Sequence, residues 1–173
     1  MVTTRSLTLR TPRLVLQPME EKDFDGMHAL LTNQQIAKTF LLPDYPDVAA
    51  VRKTFARYME LSANPERFVY GIFLQDAIIG FLNQVEIVDQ TIELGYVIHP
   101  DHHCKGYATE ALAAAMEELF KMGYTTVKTG AFEDNAASIR VMQKCGMTLT
   151  EETEIIDYRG KNHLCIFYEK HPE

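Results

Sequence analysis

The stretch HCKGYATEAL, from His103 to Leu112, joins a basic turn to the start of a regular helical pattern. From here, apolar residues recur at i, i+3, i+4 and i+7, which predicts an amphipathic helix from about Gly106 to Met122. Gly123 follows, at the position where glycine commonly ends a helix. The pattern places Gly106 inside the first turn, where glycine is less favourable than alanine by about 1 kcal/mol. Its presence therefore needs a reason.

An anion-binding loop would supply that reason. A predicted strand ends shortly before Gly106, so the glycine stands at a strand-to-helix junction. The first amides of a helix have no intrahelical partner, and the helix dipole leaves partial positive charge there. Glycine lets a phosphate approach the backbone, and Lys105 adds a full charge. The spacing is also compatible with a tight bend that carries no ligand, and it matches neither the Walker A loop nor the G-x-G-x-x-G fingerprint.

The rest of the sequence alternates between strand and helix patterns. The segment SLTLRTPRLVLQPM predicts a strand broken near Pro12, and EEKDFDGMHALL predicts a first helix. A second helix is predicted to begin near Asp47. The later elements are strands at residues 68–74, 77–87 and 91–98, the helix described above, a strand at 124–132, a helix at 135–145 and a strand pair that turns at DYRGKN. This order predicts an α/β (α+β) domain with a mixed sheet.

The composition limits the class of protein. The chain has 173 residues, of which 46% are apolar and 24% charged, and this predicts one globular domain spanning residues 1–173. The net charge of −7 argues against a protein that binds nucleic acid through phosphate contacts. No apolar run approaches the roughly 18 residues that span a bilayer, and the three cysteines lack C-x-x-C spacing. We therefore expect reduced thiols, no membrane partner and a cytoplasmic location.

Three ordered motifs resemble the GNAT superfamily of N-acetyltransferases. YVIHPDHHCKGYATEAL resembles its motif A, [RQ]-x-x-G-x-[GA], with His103 at the first position of the pattern. NAASIRVMQKCGM resembles motif B, and LRTPRLVLQPMEEKDF resembles the opening of the RimJ/RimL-like branch, the ribosomal-protein alanine acetyltransferases and their relatives. The resemblance covers nearly the whole chain. It implies the GNAT fold, in which a mixed, mostly antiparallel sheet splays between its fourth and fifth strands and is flanked by about four helices.

The resemblance also implies acetyl-CoA as the co-substrate, and no metal. The pyrophosphate would lie on the backbone amides of the motif A loop. The pantetheine arm would extend along the fourth strand, with the Val97 amide polarising the thioester carbonyl. Asn135, which the local pattern predicts as a helix N-cap, would also bind the pantetheine. The implied binding residues are Tyr96, Val97, Ile98, His103, Cys104, Lys105, Gly106, Tyr107, Ala108, Thr109, Asn135 and Ser138.

Two residues are candidates for the chemistry. Many family members carry a tyrosine in motif B that protonates the leaving thiolate, but Met142 stands there in this chain, and a thioether cannot donate a proton. Ser138 is the candidate acid in its place, as in the RimL-like branch. Glu93 is the candidate base, since strand alternation puts it on one face with Gly95 and Val97. A polar first-turn serine and a solvated glutamate are the structural alternatives.

The implied activity is transfer of an acetyl group from acetyl-CoA to a primary amine by direct attack in a ternary complex. Peptide N-termini, polyamines, amino acids and antibiotic amines all remain open as acceptors, and so do a monomer and a homodimer. The departures at His103 and Met142 leave a non-catalytic CoA-binding sensor or scaffold as the alternative. The histidines near Cys104 are too closely spaced for a tetrahedral zinc site, so no metal is expected.

Overall fold

A sheet of eight strands runs through the structure, a computed structural model that describes all residues 1–173. The strands are β1 Leu9–Arg10, β2 Leu14–Gln17, β3 Val69–Leu74, β4 Ala77–Val88, β5 Thr91–Ile98, β6 Thr126–Phe132, β7 Thr148–Tyr158 and β8 Lys161–Lys170. Their order across the sheet is β1-β2-β3-β4-β5-β6-β8-β7. Only β5 and β6 are parallel neighbours, because α3 crosses over between them. The mixed, mostly antiparallel sheet is confirmed.

Four α-helices flank the sheet, as expected. They are α1 Phe24–Leu31, α2 Val48–Ala63, α3 Tyr107–Met122 and α4 Ala136–Lys144. The predicted start of α2 is confirmed, since the side chain of Asp47 caps it by accepting a hydrogen bond from the Ala50 amide at 2.9 Å. Three short 3-10 turns complete the chain, at Glu21–Asp23, Ile36–Lys38 and Pro100–His102. None of the helices has both the length and the apolar character to cross a membrane.

The sheet buries apolar side chains on both of its faces. The main cluster includes Leu94 of β5 and Leu112 of α3. A second cluster, on the face covered by α1 and α2, includes Phe55 and Phe81. Because successive residues of a strand point to opposite faces, β5 presents Leu94 to the α3 side and Glu93 to the α1 side. The two substrates of an enzyme could thus approach β5 from different sides.

The strands β5 and β6 separate halfway along their length. Their ladder runs from Thr91 paired with Thr126 to Leu94 paired with Thr129, and then stops. Beyond that point β6 remains paired with β8 only. The sheet therefore opens as a cleft, with residues 95–98 on one wall and residues 130–132 on the other. The expected splay is present, but it falls between the fifth and sixth strands, because the first predicted strand is divided at Pro12 into β1 and β2.

Candidate active site

Gly106 lies immediately before α3 and not inside its first turn. It is the N-cap residue, and its φ of +83° is in the left-handed region. Cys104, two residues earlier, also has a positive φ, of 58°. The left-handed conformation costs residues other than glycine about 1–2 kcal/mol. The glycine is therefore required by the turn itself, which corrects the expectation of a glycine at a costly helical position.

Six consecutive amides around this turn donate to no protein acceptor. The first amide after them, that of Glu110, donates to the Gly106 carbonyl at 3.0 Å. Left-handed residues that alternate along a turn direct successive N–H groups into one concavity, and the dipole of α3 adds partial positive charge. The free amides belong to Cys104, Lys105, Gly106, Tyr107, Ala108 and Thr109. This arrangement favours the phosphate cradle over a bend without a ligand.

Arg13, in the turn before β2, supports this loop. Its Nη1 donates to the Lys105 carbonyl at 2.8 Å, and its Nε lies 2.9 Å from Oε1 of Glu110. The guanidinium also lies over the ring of Tyr107, 4.5 Å from the centroid. Sequence reasoning missed Arg13, whose only signal is its place in the opening motif, which assigns it no role. Arg13 therefore holds β2 to the start of α3, and its charge is paired with that of Glu110.

The backbone of β5 directs alternate peptide groups into the cleft. The His99 amide donates to the Ile79 carbonyl, on the β4 side, at 2.7 Å. The Leu94 carbonyl points the other way, toward β6, where it accepts from Oγ1 of Thr129 at 2.9 Å. Successive peptide groups of an extended strand alternate in direction. The groups of residues 95, 97 and 99 therefore face β4, and those of residues 94, 96 and 98 face β6 and the cleft.

This register corrects the expectation for the Val97 amide. Val97 pairs with Phe81, and its amide faces β4. The amides of Tyr96 and Ile98 lie beyond the last β5–β6 pair and are the backbone donors open to a ligand. The Ile98 carbonyl also points into the cleft, but it accepts a hydrogen bond from Nε2 of His103 at 2.7 Å. The His103 side chain therefore ties the motif A loop to β5.

The side chain of Tyr96 reaches from β5 to the first turn of α4. Its hydroxyl lies 2.7 Å from Oγ of Ser138. Burial raises the pKa of Tyr96 to about 12, although the bond with Ser138 opposes the shift, so the phenol keeps its proton at neutral pH. The Ser138 amide donates to Oδ1 of Asn135 at 3.2 Å. Asn135 is thus confirmed as the N-cap of α4, and its Nδ2 has no protein acceptor.

Met142 lies four residues after Ser138 on α4 and faces the main core. Its side chain is 0% exposed. A tyrosine at this position would not fit without displacing neighbouring core side chains. The protein therefore presents the hydroxyls of Ser138 and Tyr96 beside the cleft, and the sequence pattern identified only the first of them as a possible proton donor.

Glu93 lies on β5 near the end of its pairing with β6. Its Oε2 is 3.8 Å from Nζ of Lys128, and its side chain is 16% exposed. Burial raises the pKa of the Glu93 carboxyl, Lys128 opposes this shift, and the charges of Glu86, Glu152 and Glu154 reinforce it. A carboxyl with a raised pKa is a stronger proton acceptor than an ordinary glutamate. The environment of Glu93 therefore suits a general base.

The three cysteines are free thiols. Cys104 is exposed in the motif A loop, while Cys145 and Cys165 are buried. Burial raises the pKa of both buried thiols to about 11, so they are protonated at neutral pH and are poor nucleophiles. No group of three histidine, cysteine, aspartate or glutamate side chains is placed to hold a metal ion.

The structure brings most of the predicted site residues to one cleft. The free amides of residues 104–109, the open edge of β5 and the start of α4 border the gap between β5 and β6. Glu93 lies on the opposite face of β5, toward α1 and α2. One side of the cleft can therefore bind an extended, phosphate-bearing molecule, while the other side offers a carboxyl.

Known proteins share this sequence pattern and this fold. The uncharacterized N-acetyltransferase YnaD of Bacillus subtilis is 28% identical over 141 residues, which cover 80% of this chain and 81% of YnaD. A GNAT acetyltransferase from Bacillus anthracis has the same fold, with a TM-score of 0.82 at 22% identity over 95% of this chain and 98% of that one. RimL, the ribosomal L7/L12 α-N-protein acetyltransferase, matches with a TM-score of 0.80 at 21% identity over 99% and 96%.

The family itself is identified from the sequence. The profile of the acetyltransferase (GNAT) domain matches residues 13–148, which include the motif A loop, the open part of β5 and all of α4. The RimL structure agrees with the expected fold. This chain belongs to the GNAT acetyltransferase family, the N-acetyltransferases that use acetyl-CoA as their co-substrate.

Proposed function

We propose that this chain transfers the acetyl group of acetyl-CoA to a primary amine by direct attack in a ternary complex, with residues 1–173 acting as one domain. The main support for the proposal is that the two faces of β5 offer different chemical groups to the cleft. One side offers six free amides and an open strand edge, and the other offers the half-buried carboxyl of Glu93. An extended phosphate-bearing molecule suits the first side, and an amine suits the second.

The backbone binds most of the co-substrate in this proposal. The pyrophosphate accepts hydrogen bonds from the amides of residues 104–109, with Lys105 adding positive charge and Arg13 holding the loop through the Lys105 carbonyl. The pantetheine arm lies along β5 in the manner of an added strand, and the free Nδ2 of Asn135 binds one of its carbonyls. An amide of Tyr96 or Ile98 donates to the thioester oxygen and stabilises the negative charge that develops there.

Three proton transfers complete the proposed reaction. Glu93 takes a proton from the acceptor amine, directly or through a water molecule, so that the amine attacks in its neutral form. A C–N bond forms at the thioester carbon, the C–S bond breaks, and the nitrogen, which is cationic after the attack, loses a second proton to solvent. Ser138 donates a proton to the leaving thiolate, and Tyr96 acts as a positioning residue that orients the Ser138 hydroxyl through their hydrogen bond. The Ser138 proton is then replaced from Tyr96 or from solvent.

A thiol-release assay tests the proposal. Acetyl-CoA is mixed with the protein and a panel of amines, free CoA thiol is followed by colour, and acetylated product is identified by mass spectrometry. We expect amine-dependent thiol release, with one acetyl group transferred for each thiol released. A protein that binds CoA but releases no thiol with any amine would be a sensor or scaffold instead of an enzyme.

The kinetic pattern tests direct attack separately. A ternary complex gives double-reciprocal plots that intersect, whereas transfer through an acylated protein gives parallel lines. Cys104 is the one exposed thiol, so Cys104→Ala is the matched control. We expect intersecting lines for the unmodified protein and unchanged turnover for the variant. Parallel lines together with loss of turnover in Cys104→Ala would instead indicate an acyl-enzyme.

A further inference from the structure

A cavity of about 360 Å³ lies between the 3-10 turn Ile36–Lys38 and the hairpin of β7 and β8. We refer to it as the hairpin pocket. Seven residues line it, and none of them is acidic. The residues in its lining that carry or can carry positive charge are Lys38, Arg159, Lys161 and His163. In a chain whose net charge is −7, this is a local reversal of charge.

Two of these positive charges are not compensated by carboxylates. Arg159 is neutralised, since its Nη1 lies 2.6 Å from Oδ1 of Asp44. Lys38 and Lys161 form no ion pair in the structure, and both are exposed. Their ammonium groups therefore keep their attraction for a negatively charged ligand, at the modest strength that solvent screening allows.

The walls of the hairpin pocket are held in place without a ligand. The Tyr158 hydroxyl donates to the Ala37 carbonyl at 2.7 Å and accepts from the Leu42 amide at 3.2 Å, which joins the hairpin to the turn. The His163 ring stacks on Phe132, with the centroids 4.3 Å apart and the planes 15° from parallel. A pocket whose walls are already fixed requires less ordering when a ligand binds.

The hairpin pocket borders the side of the cleft on which Glu93 lies. Phe132, which His163 stacks on, is the last residue of β6 and forms part of one cleft wall. On the other wall, Cε2 of Phe40 lies 3.2 Å from the position that a Cβ on Gly95 would occupy. Phe40 follows the turn that lines the pocket, and its carbonyl lies 3.2 Å from the Tyr158 hydroxyl. The pocket and the cleft are therefore neighbours.

The spacing of residues along β8 gives the distance between the cleft and the hairpin pocket. Cys165 pairs with Phe132 at the cleft, and His163 and Lys161 follow on the same face of β8. At about 3.4 Å per residue, they lie roughly 7 Å and 14 Å beyond the cleft. Two to four residues of an extended peptide, or a small molecule of similar length, span these distances.

We propose that the hairpin pocket binds a carboxylate or phosphate of the acceptor, so that the preferred acceptors are amines with a negative charge two to four residues from the reacting nitrogen. This inference rests on the proposed acetyl transfer, because it assigns the acceptor to the same cleft. It names the chemical class of acceptor that the family assignment leaves open. The exposed lysines Lys38 and Lys161 are the specificity residues, and neither contacts the reacting atoms.

Three matched peptide amides test the inference, namely Ala-Asp-Asp, Ala-Asn-Asn and a third with phosphoserine at its second position. All three present the same N-terminal amine. We expect kcat/KM to be about tenfold higher for the anionic peptides than for the neutral one, because their KM is lower. This difference in kcat/KM should decrease in high salt. The phosphoserine peptide shows whether phosphate is preferred to carboxylate.

Charge-removing variants assign the effect to the pocket. In the double variant Lys38→Gln with Lys161→Gln, kcat/KM for the anionic peptides should fall to about that for the neutral peptide. The affinity for acetyl-CoA and the turnover of the neutral peptide should not change. Lys53→Gln is the control, since it removes an exposed lysine on α2 away from the pocket. Equal kcat/KM for the anionic and neutral peptides, or an equal loss in Lys53→Gln, would overturn the inference.

A binding measurement separates this inference from the proposed function. Titration calorimetry is performed with each peptide on the CoA-saturated protein, where no transfer occurs. Tighter binding of the anionic peptides that disappears in the double lysine variant upholds the pocket assignment, even if no peptide is acetylated. Absence of any such preference overturns it, even if acetyl transfer to uncharged amines is demonstrated.

Discussion

The hydroxyls of Tyr96 and Ser138 lie 2.7 Å apart and connect β5, which carries the open edge of the cleft, to the start of α4. The two residues are 42 positions apart in the chain. The usual tyrosine position of the family holds Met142 here, and its side chain is buried in the core. A phenol is therefore present beside Ser138, but it belongs to Tyr96 on β5 and not to a residue of α4.

Removal of the Tyr96 hydroxyl should lower turnover without weakening the binding of acetyl-CoA. We expect Ser138→Ala to reduce kcat by roughly 10²-fold, as for a modest general acid, and Tyr96→Phe to reduce it by about tenfold. The double variant should resemble Ser138→Ala, because Tyr96 acts through the serine. Steady-state kinetics provide the measurement.

Tyr124→Phe is the matched control for that experiment, since Tyr124 is buried in the same cluster but its hydroxyl has no protein partner. It should leave kcat unchanged. A Ser138→Ala variant that raises only KM for acetyl-CoA and keeps its turnover would show that water protonates the thiolate and that Ser138 merely binds the pantetheine.

Substitution of Gly106 should weaken CoA binding beyond its effect on folding. Alanine at a φ of +83° would be strained, and its Cβ would lie 3.1 Å from Nη2 of Arg13, beside the free amides. The unliganded variant should lose about 1–2 kcal/mol of stability. CoA at 100 times its dissociation constant should stabilise the unmodified protein by about 2.7 kcal/mol, and Gly106→Ala should lose most of this. Thermal melts with and without CoA measure both quantities.

Gly160→Ala separates backbone strain from loss of the binding loop. Gly160 has a similar φ of +74°, and a Cβ there would meet nothing within 4 Å. Its variant should show a comparable loss of stability but the full stabilisation by CoA. Equal CoA-induced shifts in the two variants would mean that Gly106 serves only the turn.

Glu93→Gln should lower turnover most strongly between acidic and neutral pH. In this range the acceptor amine is protonated and needs a base, whereas at high pH the free amine attacks without assistance. The deficit in kcat/KM should therefore shrink as the pH rises. A deficit that is independent of pH would mark Glu93 as a residue that positions the acceptor and does not accept its proton.

Lys128→Gln should move the acidic limb of the pH profile to higher pH. The Lys128 ammonium, 3.8 Å from the Glu93 carboxylate, favours the ionised form and so opposes the upward shift of its pKa. Loss of the ammonium raises the pKa of Glu93 further, so a higher pH is needed to obtain the active carboxylate. Lys121→Gln, which disrupts the surface pair with Glu117, should leave the limb unmoved. An unchanged limb in Lys128→Gln would argue against Glu93 as the titrating base.

The sequence by itself determined the features that depend on neighbouring residues. The apolar stripe of α3, the stop at Gly123, and the caps at Asp47 and Asn135 all agree with the structure to within a few residues. Such features arise from helical periodicity and from hydrogen bonds that span three or four positions. The sequence also located the loop at Gly106, although the structure places this glycine at the N-cap of α3 and not inside its first turn.

Tertiary structure decided the features that depend on residues far apart in the chain. The direction of the Val97 amide follows from the pairing of β4 with β5, and no pattern within β5 reveals it. Arg13 reaches a loop more than 90 residues away, at Lys105, and Tyr158 joins its hairpin to the turn that ends at Lys38. Local preferences act over a few residues, whereas the faces that meet in a cleft are chosen by strand register and core packing. The sequence therefore identified the loop that we propose for the co-substrate, and only the fold showed which side chains surround the proposed acceptor site.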